Sequence, residues 1–257
     1  MLKGLQTHFA GTILGHEKCE RIAEIGVQLG RIDAMGQEAE FVSAQAMELA
    51  EVGIPSYITV DNPAIIQDLP ITTWGVEYLN EPDGRVEPSD YRVGLKDCMV
   101  ECKLAGLQLY GPTVSNLIRT KVLAEGAELR GIEYIEACRP YPWGMRGSVH
   151  RYGDNNEVAN PHSGFISREH ELNAMHSAFD VDRPFGVSEL GWASCGTLSE
   201  AEAGANLQWE MAFWARMKAL FLIIYQIHDG PGEANIDNFG LFRLDGTLKE
   251  AYARAFK

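Results

Sequence analysis

No apolar run in this chain is long enough to cross a bilayer. The longest, Ala219–Tyr225, falls far short of the ~20 residues that a spanning helix needs. Basic residues are scarce: 22 Lys and Arg stand against 36 Asp and Glu, a formal net charge of −14. Such a surface repels phosphate backbones and anionic lipid, so neither nucleic acid nor a membrane is an expected partner. Cysteine is sparse and odd in number: Cys19, Cys98, Cys102, Cys138 and Cys195. The spacing matches no zinc site, and Cys98 and Cys102, four apart on an expected helix, read as buried thiols. A disulfide scaffold, a bound metal and a cofactor are therefore not expected. There is no Gly-rich phosphate-binding turn after the first apolar segment, because Gly11-Thr12-Ile13-Leu14-Gly15 has the wrong spacing. No leader is legible either, since a strand-like segment begins within a few residues of Met1. The expected compartment is the cytoplasm, or the periplasm or exterior if a leader has been removed. Oligomeric state leaves no mark.

Linkers are missing too, and one domain covering residues 1–257 is expected. What is present is an alternation of short apolar runs with amphipathic helical patterns. Strands are expected at Leu5–Ala10, Arg31–Met35, Ser56–Val60, Thr72–Leu79, Leu107–Tyr110, Gly147–Tyr152, Phe185–Ser188 and Phe221–Ile227. Helices are expected at His16–Leu29 (with Gly30 ending it), Glu38–Val52, Ser89–Leu104, Val114–Ala124, part of Glu128–Ala137, Ser167–Phe179, from Ser199 and at Thr247–Phe256. Ser199 and Glu202 make a capping box. Eight strands alternating with helices point to parallel pairing through right-handed crossovers. With 46% apolar residues and a length close to the ~250 typical of such folds, the expected architecture is α/β, a single (β/α)8 TIM barrel.

In such a barrel every strand ends on one face, and that face carries the chemistry. His8 follows the first strand. Arg31 and Asp33 lie in the second, and Asp61 and Asn62 follow the third. Asn80 and Glu81 end the fourth, and His150 and Tyr152 end the sixth. Glu189 and Trp192 close the seventh; Tyr225, Gln226, His228 and Asp229 close the eighth. Two of these are carboxyl groups at the ends of apolar runs, Glu81 and Glu189. Two carboxyl groups are what cleavage of a glycosidic bond requires, one to protonate the leaving oxygen and one to attack the sugar carbon. Arg31 and Tyr152 suit an ionised Glu189, and Asn80 offers an amide to the hydroxyl beside the reacting carbon. Trp192 offers a face on which a sugar ring can stack. Trp143 precedes the sixth strand and belongs at the opposite end, while Trp209 and Trp214 suit the outer helical layer. A plainer reading stays open: strand ends meet water, Glu81 suits the start of a helix, and Glu189 suits a salt bridge.

The ordered set is Arg31 in the second strand, Asn80-Glu81-Pro82 ending the fourth, His150-Arg151-Tyr152 in the sixth and Ser188-Glu189-Leu190-Gly191-Trp192 in the seventh. The tail Phe239-Gly240-Leu241-Phe242, then Asp245 to Tyr252, completes it. In that order the chain resembles the clan A retaining glycoside hydrolases, the barrel group holding cellulase-like, mannanase-like and β-xylosidase-like families. The resemblance implies double displacement at β-glycosidic bonds of a polysaccharide or oligosaccharide. Glu81 is then the acid/base and Glu189 the nucleophile. His8, Arg31, Asn80, His150, Tyr152, Trp192, Tyr225 and Gln226 are then substrate-binding residues. Where many relatives carry a Trp on the eighth strand, this chain has Tyr225 followed by Gln226. Short connections after the first three strands suit internal cleavage.

Two other classes compete. A metal-dependent barrel of isomerase or endonuclease type would use ligands among Asp33, Glu81, His150, Glu189, His228 and Asp229. A barrel that binds carbohydrate without cleaving it would not need both glutamates.

Overall fold

The computed structural model describes residues 1–8, 14–118, 120–122, 128–152, 158–162, 164–180, 183–194, 198–230 and 238–257. Eight parallel strands form a nearly closed barrel: β1 (Leu2–His8), β2 (Leu29–Asp33), β3 (Ser56–Val60), β4 (Thr73–Tyr78), β5 (Leu109–Tyr110), β8 (Gly147–His150), β9 (Phe185–Leu190) and β10 (Phe221–Ile224). They lie in the order β5-β4-β3-β2-β1-β10-β9-β8. A single parallel bridge from Tyr110 to Arg146 joins the two edges, with the Gly111 amide donating to the Arg146 carbonyl at 3.1 Å. Helices α1 (His16–Ile25), α2 (Ala39–Glu51), α3 (Pro88–Ala105), α4 (Gly131–Ala137), α5 (Arg168–Ala178), α6 (Glu200–Arg216) and α7 (Glu250–Ala253) come between or after the strands. This is the expected single (β/α)8 barrel.

Local chemistry explains most boundaries. α1 ends four residues earlier than expected, at Gly26 rather than Gly30. Gly26 takes φ 103°, and its amide and that of Val27 turn back onto the Ala23 and Ile22 carbonyls. Gly30 lies instead within β2, where an added Cβ would overlap the Leu49 side chain. α6 starts at the expected capping box, with Ser199 and Glu202 bonding each other's backbone amides. The expected helix over Val114–Ala124 does not form in the described residues. The Ile118 amide is taken by the Asn116 side chain at 2.9 Å, and the Ser115 amide by Asp83 at 2.9 Å. These side chains satisfy the backbone locally and so displace the helix. Beyond them, β6 (Thr120–Val122) pairs antiparallel with β7 (Glu128–Arg130) as a small hairpin.

The N-terminal end of the barrel is plugged by rings of Tyr57, Trp74, Tyr110 and Phe221, with centroids 4.9–6.3 Å apart. Trp143 is 87% exposed beside the start of β8, away from the strand C-termini, as expected. Trp214 is buried in the outer layer, and Trp209 stacks on Phe213. Cys19, Cys98, Cys102 and Cys138 are buried free thiols; Cys195 lies outside the described residues. Burial pushes Cys19, Cys102 and Cys138 up to about 12, which leaves them unreactive. Among the described residues no helix is long and apolar enough to cross a membrane.

β9 carries an irregularity that matters for function. Across β8, Val149 pairs with Val187 and His150 with Glu189; across β10, Leu222 pairs with Val187 and Ile224 with Leu190. One extra residue is therefore accommodated in β9. Such a bulge breaks the strict alternation of faces. It lets consecutive residues Ser188 and Glu189 both reach interior partners: Ser188 meets Ser148, and Glu189 meets Arg31.

Candidate active site

The deepest part of the site is a buried charge cluster. Glu77 in β4 has no solvent exposure, and Arg31 in β2 is nearly as buried. Arg31 Nη2 donates to Glu77 Oε1 at 3.0 Å and to Asn80 Oδ1 at 2.9 Å. Its Nη1 donates to Gln6 Oε1 at 2.8 Å and to Glu189 Oε1. Glu77 also accepts from Tyr57 at 2.7 Å, Ser148 at 2.8 Å and Thr59 at 3.3 Å. Burial alone would raise the Glu77 carboxyl. The charges of Arg31 and His150 and the hydroxyl donors outweigh it and hold the group at about 2. Burial likewise works against the Arg31 charge, and Glu189 and Glu77 more than offset it.

Above this cluster sit the two expected glutamates. One carboxylate oxygen of Glu81, one of Glu189 and a ring nitrogen of His150 all lie within 4.8 Å of one another. His150 Nδ1 is 3.2 Å from Glu81 Oε1 and 3.5 Å from Glu189 Oε2. Burial pulls the His150 imidazole down, but the charge of Glu189 and the hydrogen bond with Glu81 raise it overall. Tyr152 donates its phenol to Glu189 Oε2 at 2.6 Å. Burial and the adjacent Glu189 hold Tyr152 well above the usual phenol range, so it remains a donor. Glu189 is thus almost enclosed, while the Glu81 side chain is 29% exposed. Leu79 and Glu81 take φ 58° and 49°. Left-handed backbone at a residue with a Cβ costs about 1–2 kcal/mol each, and here it turns the end of β4 over the barrel mouth.

The remaining expected residues divide. Arg31, Asn80, His150 and Tyr152 join Glu81 and Glu189 in one contiguous cluster. The Tyr225 ring lies beside Tyr152 at 6.1 Å, and Phe239 joins the pair at 5.8 Å from each. Gln226 follows Tyr225 and is buried. His8 ends β1, but its side chain lies outside the described residues. Trp192 is 5% exposed and packs with the core, and its carbonyl accepts from Tyr252 at 2.6 Å. Asn62 caps the turn at Pro63–Asp68, and Asp61 accepts from the Gly36 amide. Asp229 is ion-paired with Lys249 at 2.6 Å, and His228 packs on Phe242, so neither joins the glutamate cluster. Sequence reasoning missed Glu77, Gln6, Tyr57, Ser148 and Ser188.

Behind Tyr152 lies a second buried ionic network. Arg151 Nε donates to Glu171 Oε1 at 3.0 Å, and Arg168 makes a two-pronged pair with Glu210 at 2.9 and 2.8 Å. Burial raises the Glu171 carboxyl, but the His162 hydrogen bond and the Arg151 charge hold it at about 2. Glu77 and Glu171 therefore make the fold sensitive to acid. A carboxyl group depressed on folding stabilises the native state above its unfolded value, here 4.5, and that contribution disappears as pH falls towards about 2. Each contributes on the order of 3 kcal/mol at neutral pH. Urea midpoints should fall steeply between pH 4.5 and 2. A midpoint unchanged across the acid range would contradict this assignment.

No protein-family model matches the chain, and no curated protein matches it. Solved structures do match in fold. An endo-β-1,3-glucanase of glycoside hydrolase family 128, subgroup II, from Sorangium cellulosum superposes with a TM-score of 0.68 at 16% identity, covering 99% of this chain and 98% of that one. Cel5A from Thermotoga maritima, solved with cellobiose, gives 0.66 at 14% identity, covering 99% and 96%. A glycoside hydrolase family 17 β-1,3-glucanosyltransferase from Rhizomucor miehei gives 0.67 at 11% identity, covering 96% of each. The expected likeness to clan A glycoside hydrolases is borne out at the level of the barrel.

Proposed function

We propose that this protein is a retaining glycoside hydrolase acting on β-glycosidic bonds of a polysaccharide or oligosaccharide. The observation that carries the reading is the short separation of the two carboxyl groups, within 4.8 Å between oxygens. Retaining enzymes place them about 5 Å apart, whereas inverting enzymes need roughly 6.5–9.5 Å to admit a water. Glu189 attacks the anomeric carbon from one face. Glu81 protonates the departing glycosidic oxygen, and a covalent glycosyl ester forms on Glu189. Glu81, now a carboxylate, takes a proton from water, which attacks the same carbon and releases Glu189. Arg31 and Tyr152 face the two oxygens of Glu189 and orient it. Arg31 also holds the Asn80 carbonyl oxygen, which leaves the Asn80 amide nitrogen to donate to the neighbouring sugar hydroxyl. Tyr225 and Phe239 beside Tyr152 are the aromatic surface for the ring. Internal cleavage is part of the proposal, supported by the short connections 34–38 and 61–62.

The test is a panel of β-1,3- and β-1,4-glucans, mannans, xylans and aryl β-glycosides, with proton NMR of the first product. β-1,3-Glucan leads the panel, because two of the three structural neighbours named above carry that linkage in their names. Initial release of the β anomer is expected. Release of the α anomer, or no turnover on any member, would overturn the proposal. The cluster Glu81–His150–Glu189 also has the donor types of a metal site. The adjacent Arg31 cation and the Tyr152 donor on Glu189 disfavour a cation there, so activity should survive chelation.

A further inference from the structure

We propose that Glu171, on α5 outside the barrel, is a positioning residue that sets the nucleophile through Tyr152; this rests on the hydrolase reading above for its kinetic consequence. The Tyr152 carbonyl accepts from Arg151 Nη1 at 2.9 Å and faces His162 Nε2 at 2.8 Å. A carbonyl can only accept, so His162 Nε2 carries its hydrogen. Both donors are anchored on Glu171. Arg151 Nε and Nη2 reach its two oxygens at 3.0 and 3.4 Å. His162 Nδ1 lies 2.8 Å from Oε1, and the His162 amide donates to Oε2 at 3.2 Å. Arg168 Nε approaches Oε2 at 3.7 Å. Glu171, Arg151 and His162 are all nearly fully buried.

The geometry explains why so much buried charge stands there. Tyr152 lies two residues past the end of β8, beyond the ladder that holds His150 against β9. One backbone link to β9 continues past that ladder, the Arg151 amide on the Glu189 carbonyl at 2.9 Å. The Tyr152 phenol must nevertheless stay 2.6 Å from Glu189 Oε2. Two donors fixed on one carboxylate hold the Tyr152 backbone in place of a ladder. The same Arg151 residue links to Glu189 through its amide and to Glu171 through its guanidinium. Displacement of a supporting group by about 1 Å can cost a hundredfold in rate.

Glu171→Gln removes the charge and keeps the volume. The protein is labelled with 3-fluorotyrosine, and the Tyr152 fluorine resonance is assigned from Tyr152→Phe. In Glu171→Gln that resonance is expected to move, and kcat on an aryl β-glycoside to fall about 10- to 100-fold with little change in KM. In a Tyr152→Phe background the same substitution should add almost nothing, because both act on one contact. Glu210→Gln is the control: it breaks the neighbouring Arg168 pair without touching Tyr152, so it lowers Tm and leaves the resonance in place. If Glu171→Gln lowers Tm like the control but leaves the Tyr152 resonance and kcat unmoved, the proposal is overturned. Should Glu171→Gln not fold, His162→Gln removes one of the two donors and must shift the resonance in the same direction. If the parent protein hydrolyses nothing, the hydrolase reading fails, while the fluorine resonance still decides whether Glu171 positions Tyr152.

Discussion

Glu81→Ala is expected to slow oligosaccharide hydrolysis by about 10²–10⁴-fold, while formation of the glycosyl ester from a dinitrophenyl β-glycoside stays almost unchanged. The two substrates differ in what they ask of Glu81. A sugar alkoxide is a poor leaving group and needs a proton as the bond breaks; a dinitrophenolate does not. The second half-reaction separates the roles further. Water must lose a proton to attack, so the variant should stall at the ester and show a burst of dinitrophenol followed by slow turnover. Azide needs no base. Added azide should therefore restore turnover and give a β-glycosyl azide, since it attacks from the face that water would use. The partly exposed Glu81 side chain above a nearly enclosed Glu189 leaves room for such an ion on the Glu81 side. Equal losses on both substrates, or an azide product of α configuration, would remove Glu81 from the acid/base role.

The parts of the site that the sequence made legible are those where an apolar run stops at a polar group. Asn80-Glu81-Pro82 and Ser188-Glu189 stand at such stops, and the barrel architecture then brings their strand ends to one face. The interior was harder to read, because facing depends on a period of two that bulges interrupt. Extra residues occur in β1 between Gln6 and His8, in β4 between Thr73 and Gly75, and in β9 before Leu190. Each reverses inside and outside for the rest of its strand. Glu77 carried a signal all the same. A charged residue between Val76 and Tyr78 in an apolar strand has to be paired if buried, and Arg31 in another apolar strand has the same need. Trp192 left its facing open for a different reason. A ring just past a strand end can face substrate or core, and the Tyr252 hydroxyl that takes its carbonyl comes from sixty residues further on.

Glu77→Ala should cost about 3–5 kcal/mol, because it leaves the buried Arg31 without its deepest partner. For a chain of this size that is a fall in Tm on the order of 10 °C. Glu77→Gln should be nearly as damaging. Arg31, Tyr57, Thr59 and Ser148 all donate to the Glu77 carboxylate. An amide loses the charge that faces Arg31, and its NH2 is met on the Tyr57–Ser148 side only if those hydroxyls turn round to accept. The sharper comparison is the double variant Arg31→Met with Glu77→Met. Replacing both members of a buried pair with apolar groups of similar volume is often close to neutral for stability. The double variant should therefore recover part of the Tm lost by Glu77→Ala, the remainder being held back by Glu189, which loses its cation, and by the Tyr57, Thr59 and Ser148 hydroxyls, which lose their acceptor. Activity should not return with it, because Glu189 and Asn80 both hang on Arg31. Calorimetry for Tm and initial rates on the best panel substrate check the two halves separately. A double variant that regains turnover along with its Tm would show that the Arg31–Glu77 pair serves the barrel alone and has no part in holding the nucleophile.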